Sequence, residues 1–204
     1  MTSRSIPILA ACGAMLIAGD TVLADTSRHG GDAARAAIGL DSAEGDGLDL
    51  QQKNGQIGLG SYLATAGGCN DCHTWPNYAP NHDPFARQPR QPNVPVYMAG
   101  GRLFPTPGGN FCSRNISPAP GTSMPAGLSV DDFLYVIQTG CDPQEGNFRD
   151  PAKCELLQVM PWPEYRKMTT SDLRAIYAYL SVLPHTEPGP AAQCQPDPQG
   201  VAGQ

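Results

Sequence analysis

Hydrophobic and polar positions alternate at a helical period in only a few places along this chain, separated by long irregular stretches. Gln56 to Ala66 is helix-like despite Gly58 and Gly60, each of which costs about 1 kcal/mol against alanine. Glycines inside a helix usually serve close backbone packing, and that role is expected here. Ser129, with Asp132 three positions later, opens a second helix through Phe133, Val136 and Ile137, stopped by Gly140. Thr169 and Asp172 repeat this capping signature. Leu173, Ile176, Tyr177 and Leu180 then form one apolar stripe that Pro184 ends.

The intervening segments carry different signals. Asp25 to Leu50 is rich in Gly, Ala and Asp, with four carboxylates between Asp41 and Asp49, and reads as a flexible acidic leader with at most a short helix. Thr74 to Pro107 holds eight prolines and is expected to be an irregular surface wrap. Residues 185–204 form a polar, proline-rich tail, and no internal repeat is visible.

The first 24 residues read as an export signal. Arg4 supplies the positive start, Ile6 to Gly19 a short apolar run, and Val22-Leu23-Ala24 the small residues of a cleavage site near Ala24. Fourteen residues are too few to span a bilayer comfortably, and Asp20 follows them. Leu9-Ala10-Ala11-Cys12 looks like a lipoprotein box, but the apolar run continues past the cysteine, so Cys12 is expected to leave with the signal. No later segment is apolar enough to span a membrane, which predicts a soluble mature chain in the periplasm.

Composition narrows the class. The chain has 204 residues, 40% hydrophobic and 16% charged, which suits one modest domain. Its 23 glycines and 21 prolines make it loop-rich without reaching a disordered composition. A net charge of −6 argues against nucleic-acid binding and suits a protein that meets a basic partner. Aromatic residues at 7% are a thin supply for a self-sufficient core, so another group is expected to fill the middle.

Export changes the meaning of the cysteines. Six of the seven remain in the mature chain, and two of them stand in Cys69-Asn70-Asp71-Cys72-His73. This is the pattern for covalent attachment of haem c. Two thiols three positions apart add across the two vinyl groups of one haem, and the adjacent histidine becomes the proximal iron ligand. A zinc site would need a second closely spaced ligand pair, which is absent from the sequence. A thioredoxin-like pair would need a βαβ context, and a disulfide within the motif is cramped. The pattern predicts one haem c, held by Cys69, Cys72 and His73.

The sixth ligand is sought among Met98, Met124, Met160, Met168 and the spare histidines His29, His82 and His185. Met160-Pro161-Trp162-Pro163 is a stiff loop ahead of a capped helix, and proline can hold a methionine extended towards a metal. The other reading of Met160 is core filler. Met168, Met98 and Met124 read as packing, and the histidines as solvated. Arg87, Arg90, Arg102 and Arg114 form the only basic-biased stretch, in which Arg102 or Arg114 either pairs with a haem propionate or sits in a solvated loop. Four further cysteines permit three pairings in an oxidising compartment. Cys141–Cys154 as a local loop and Cys112–Cys194 as a tie for the tail is the preferred set.

These segments together resemble a family. Tyr62-Leu63-Ala64, Cys69 to Thr74, Ala99-Gly100-Gly101, Thr106-Pro107-Gly108-Gly109 and Asn115-Ile116-Ser117-Pro118 look like a class I c-type cytochrome. Met160-Pro161-Trp162-Pro163-Glu164-Tyr165-Arg166, then Met168-Thr169, Asp172-Leu173 and Ile176 to Leu180 complete the likeness. More narrowly, it resembles a single haem module of the cytochrome c subunits of bacterial alcohol and sugar-acid dehydrogenases, and the resemblance covers residues 51–184. The resemblance implies an all-α fold around the haem, with the first and last helices crossing at Gly58 and Tyr62 against Tyr177. It implies Cys69 and Cys72 as thioether sites, His73 and Met160 as axial ligands, and Asn115 to Pro118 in the loop wrapping the haem. Those subunits usually carry three haem modules and this sequence has one motif. The insert from Cys141 to Cys154, together with Cys112 and Cys194, also departs from the pattern.

The domain plan is therefore a signal over 1–24, a leader over 25–50, a cytochrome domain over 51–184 and a tail over 185–204. The expected function is single-electron transfer between a periplasmic dehydrogenase or other donor and a terminal oxidase or another cytochrome, without substrate catalysis. The competing expectation is an open sixth position, which would make a haem enzyme or a gas or peroxide sensor. An assembly subunit relaying electrons inside a complex is a third.

Overall fold

A computed structural model describes residues 19–144 and 147–194, with side chains from residue 30. Among the described residues, six α-helices occur in the order α1 (Gly19–Gly45), α2 (Gly55–Ala66), α3 (Cys69–His73), α4 (Val130–Thr139), α5 (Trp162–Tyr165) and α6 (Thr170–Ser181). Two strands, β1 (Leu103–Thr106) and β2 (Gly109–Cys112), lie between α3 and α4 and pair antiparallel, with Leu103 opposite Cys112 and Thr106 opposite Gly109. The chain is thus mainly helical with one small hairpin, which corrects the all-α expectation. The hairpin forms where the proline-rich wrap meets Thr106-Pro107-Gly108-Gly109: Gly109 sits at φ +136°, and the Thr106 hydroxyl donates to its carbonyl at 2.9 Å.

The predicted helix starts are present. The Asn54 side chain accepts from the amides of Gln56 and Ile57 at 3.0 and 3.1 Å to open α2. Ser129 Oγ accepts from Asp132 N at 3.2 Å to open α4. Thr169 and Asp172 form a reciprocal capping box on α6.

Helix α2 is the centre of the fold because two of its glycines, Gly58 and Gly60, face two different neighbours. A Cβ on Gly60 would lie 1.9 Å from the carbonyl oxygen of Ala175 and 2.8 Å from Tyr179 Cβ in α6. A Cβ on Gly58 would lie 2.2 Å from the carbonyl oxygen of Ala36 in α1. The crossing with the last helix therefore uses Gly60 against Ala175 and Tyr179, not Gly58 and Tyr62 against Tyr177. Tyr177 instead packs edge-on against Phe133 of α4, and its hydroxyl donates to Leu128 O.

The segment expected as a flexible leader is folded. Helix α1 runs to Gly45, Ala36 and Ala43 are buried, and Leu48 and Leu50 join the core beyond its end. Ser61 Oγ of α2 donates to Gly39 O of α1 at 2.9 Å. The acidic residues gave the segment its polar look, but the small and apolar ones share a face that α2 covers. Most of the expected export signal, residues 1–18, lies outside the described residues. No helix among the described residues is long and apolar enough to cross a membrane.

Both expected disulfides are present, Cys112–Cys194 and Cys141–Cys154, leaving Cys69 and Cys72 as the free thiols among the described residues. The first ties the tail to the end of β2, and Gln193 N donates to Gly101 O at 2.8 Å beside it. Residues 195–204 of the tail lie outside the described residues.

Candidate functional site

Cys69, Cys72 and His73 occupy one helical turn, α3. Positions i, i+3 and i+4 of a helix share a face, so the three side chains face the same cavity. Gly68 starts the turn in the left-handed region at φ +69°. The loop from Tyr97 to Arg102 then clamps it. Gly100 N donates to His73 O at 2.7 Å, Met98 N to Thr74 Oγ1 at 3.0 Å, and Thr74 Oγ1 to Asn70 Oδ1 at 2.7 Å. Met98, a packing residue as expected, is fully buried in this clamp.

The cavity contains about 1240 Å³ of empty space, part of it open to solvent. Cys69, Cys72, His73 and Met160 all line it, so the four candidate site residues are brought together. Aromatic and aliphatic side chains, including Phe104 and Phe111 of the hairpin, Phe133 and Val136 of α4, and Leu180 of α6, supply much of the rest. A largely apolar hollow with a few convergent donors is what a planar apolar cofactor requires.

The protonation states follow from the surroundings. His73 Nδ1 lies 2.8 Å from Arg114 O, and a carbonyl can only accept, so Nδ1 carries the proton and Nε2 keeps its lone pair. Burial lowers the His73 pKa, outweighing the opposing pull of that hydrogen bond, so the ring is neutral. Cys69 is pushed up to about 12, first by burial and then by the neighbouring Cys72, and burial also raises Cys72. Both are protonated thiols at neutral pH.

Met160 is held by its neighbours. Trp162 N donates to Met160 O at 2.8 Å, and Leu157 N donates to Gly140 O at 2.8 Å just ahead. The Trp162 ring covers Gly140, where a Cβ would lie 2.2 Å from the indole. Gly140 also ends α4 in the left-handed region at φ +75°, so one glycine both stops the helix and admits the tryptophan. Met160 both lines the cavity and packs against the core.

The structure separates the two arginine candidates. The Arg102 guanidinium lies 5.1 Å from the ring centroids of both Trp75 and Phe104, and it donates to Asp71 O at 2.6 Å. Arg114 lines the cavity, pairs with both carboxylate oxygens of Asp142, and keeps a buried Nη1 without a hydrogen-bond partner among the described residues. A buried donor without a partner is costly and points to a missing acceptor. The donor set, two thiols, one neutral imidazole nitrogen, one thioether and a spare guanidinium nitrogen, fits haem c with its carboxylate-bearing edge. Among the described residues no three His, Cys, Asp or Glu side chains gather around one point.

Sequence reasoning missed Asp142 and the hairpin aromatics. Asp142 carries no motif; only its position beside Cys141 could have drawn notice. His185, expected to be solvated, has Nδ1 2.7 Å from Pro118 O and Nε2 2.7 Å from Glu187 Oε1.

Comparison with known proteins bears on the same residues. No family model matches the chain. It is 31% identical over 132 residues to the gluconate 2-dehydrogenase cytochrome c subunit of Pantoea cypripedii, covering 65% of this chain and 24% of that one. It is 28% identical over 139 residues to the fructose dehydrogenase cytochrome subunit of Gluconobacter japonicus, covering 67% of this chain and 24% of that one. A diheme cytochrome c-type protein of Cereibacter sphaeroides is 26% identical over 133 residues, covering 65% of this chain and 38% of that one. The chain thus spans about a quarter of the length of the first two relatives.

Proposed function

From a chain that matches a class I c-type cytochrome module of the dehydrogenase cytochrome subunits, we propose that it is a periplasmic mono-haem electron carrier. Cys69 and Cys72 would hold haem c through two thioether bonds, and His73 Nε2 and the Met160 thioether would be the side-chain donors to its iron. So held, haem c supplies a one-electron Fe(III)/Fe(II) couple, whose potential a methionine ligand raises.

The chain's own residues do the rest. Arg114 O fixes the tautomer and orientation of His73. The Trp162–Gly140 contact and the Leu157–Gly140 hydrogen bond hold the chain in place on either side of Met160. Phe104, Phe111, Phe133 and Leu180 exclude water from the cavity, and Arg114 Nη1 offers a donor to a carboxylate. With His73 and Met160 both donating to the iron, no substrate would need to reach the metal. The electron partners are a dehydrogenase or similar donor and an oxidase or another cytochrome, met over a small transient interface. An amino-terminal export signal cleaved near Ala24 belongs to this reading.

One observation carries the proposal: Cys69, Cys72, His73 and Met160 line a single largely apolar cavity. Its test is the intact mass of the protein made in a host that assembles haem c, followed by mapping of the haem-bearing peptide. One haem on the peptide containing Cys69 and Cys72 is expected. No covalent haem, or haem elsewhere, would overturn it.

A further inference from the structure

We infer that the Arg114–Asp142 ion pair is a clasp that keeps the two axial-ligand segments at their working separation, which makes Asp142 a positioning residue. The inference rests on the assignment of His73 and Met160 as ligands.

Arg114 and Asp142 each belong to a segment that controls one ligand. Arg114 O accepts from His73 Nδ1, so displacement of this residue moves the imidazole. Asp142 stands next to Cys141 in the segment that the Cys141–Cys154 disulfide closes. Its amide donates to Glu155 O at 2.7 Å, and Cys141 pairs with Leu156 in an isolated antiparallel bridge. Leu157, Gln158 and Val159 then lead directly to Met160. The disulfide and bridge stiffen this segment internally, but neither ties it to the His73 side. The pair does so: Arg114 Nη2 binds both Asp142 carboxylate oxygens.

The setting makes the link consequential. The two side chains are only 23% and 20% exposed, so water and salt screen them far less than a surface pair. Both line the ligand-bearing cavity. Asp142 Oδ1 also accepts from Gln144 N at 2.8 Å, which fixes the carboxylate from its own side. Asparagine at 142 keeps the shape and loses the charge, so it loosens the link between the segments without emptying the site.

Imidazole binding to the ferric haem protein tests this, because imidazole competes with the methionine sulfur for the iron. Before titration, the unchanged protein and Asp142→Asn should both show the long-wavelength sulfur-to-iron band. Asp142→Asn should then bind imidazole about tenfold more tightly, equivalent to about 1.4 kcal/mol, and the exchange Arg114→Asp with Asp142→Arg should recover most of the difference. Should Asp142→Asn fail to fold, Asp142→Ser, which also removes the charge and leaves Arg114 in place, is read in the same way. A lower melting temperature with unchanged imidazole affinity would overturn the clasp and leave the pair with a purely structural role. Absence of the sulfur band from the unchanged protein would instead overturn the Met160 assignment beneath it.

Discussion

Gly60 meets the carbonyl of Ala175 so closely that a Cβ would come within 1.9 Å of its oxygen. Backbone lies against backbone where α2 crosses α6. Gly60→Ala gains about 1 kcal/mol of helix propensity but forces the helices apart, and overpacking of this kind costs about 1–3 kcal/mol. A net loss of stability is expected in urea denaturation. Equal or greater stability would contradict the close crossing.

The two disulfides make unequal demands. Cys112–Cys194 joins residues 82 apart in sequence and Cys141–Cys154 residues 13 apart. On loop-closure entropy the longer bridge stabilises more, within the usual range of about 2–4 kcal/mol. Replacing Cys112 and Cys194 by alanine should therefore lower the denaturation midpoint more than replacing Cys141 and Cys154.

His185 couples the tail to pH. Its two ring nitrogens face acceptors, Pro118 O and the Glu187 carboxylate, so both hydrogen bonds form together only when the ring is charged. The bond to Glu187 is the main reason its pKa is raised above the ordinary 6.5. A raised folded-state pKa contributes stability that is full below about pH 6.5 and fades as pH rises through the higher folded value. Glu187 is 63% exposed, so the contribution lies within the about 0–1 kcal/mol of solvent-exposed pairs. Unfolding of the unchanged protein and His185→Gln at pH 6 and pH 8 should show a gap at pH 6 that narrows at pH 8.

Much of this was legible in the residues. The caps at Ser129 and Thr169 and the Cys69-to-His73 turn follow from local chemistry, and of the three possible disulfide sets the one preferred for its short Cys141–Cys154 loop is present. The leader misled because its carboxylates dominate its composition. Helix α1 exists through contact with α2, at Gly39 and Gly58, and tertiary contact leaves only a faint trace in a segment's own periodicity. The choice between Gly58 and Gly60 is likewise a matter of helix rotation, which two glycines two positions apart do not specify. Arg102 and Arg114 look alike in sequence, and only the packing of Trp75 and Phe104 around one and Asp142 against the other distinguishes them.

The most direct test of the central claim is the response of the reduced mature haem protein to carbon monoxide, which needs an open coordination position. The unchanged protein should keep its spectrum, and Met160→Ala should bind carbon monoxide promptly. Prompt binding by the unchanged protein would contradict a six-coordinate His73/Met160 carrier and redirect the search to a small ligand or substrate at the iron.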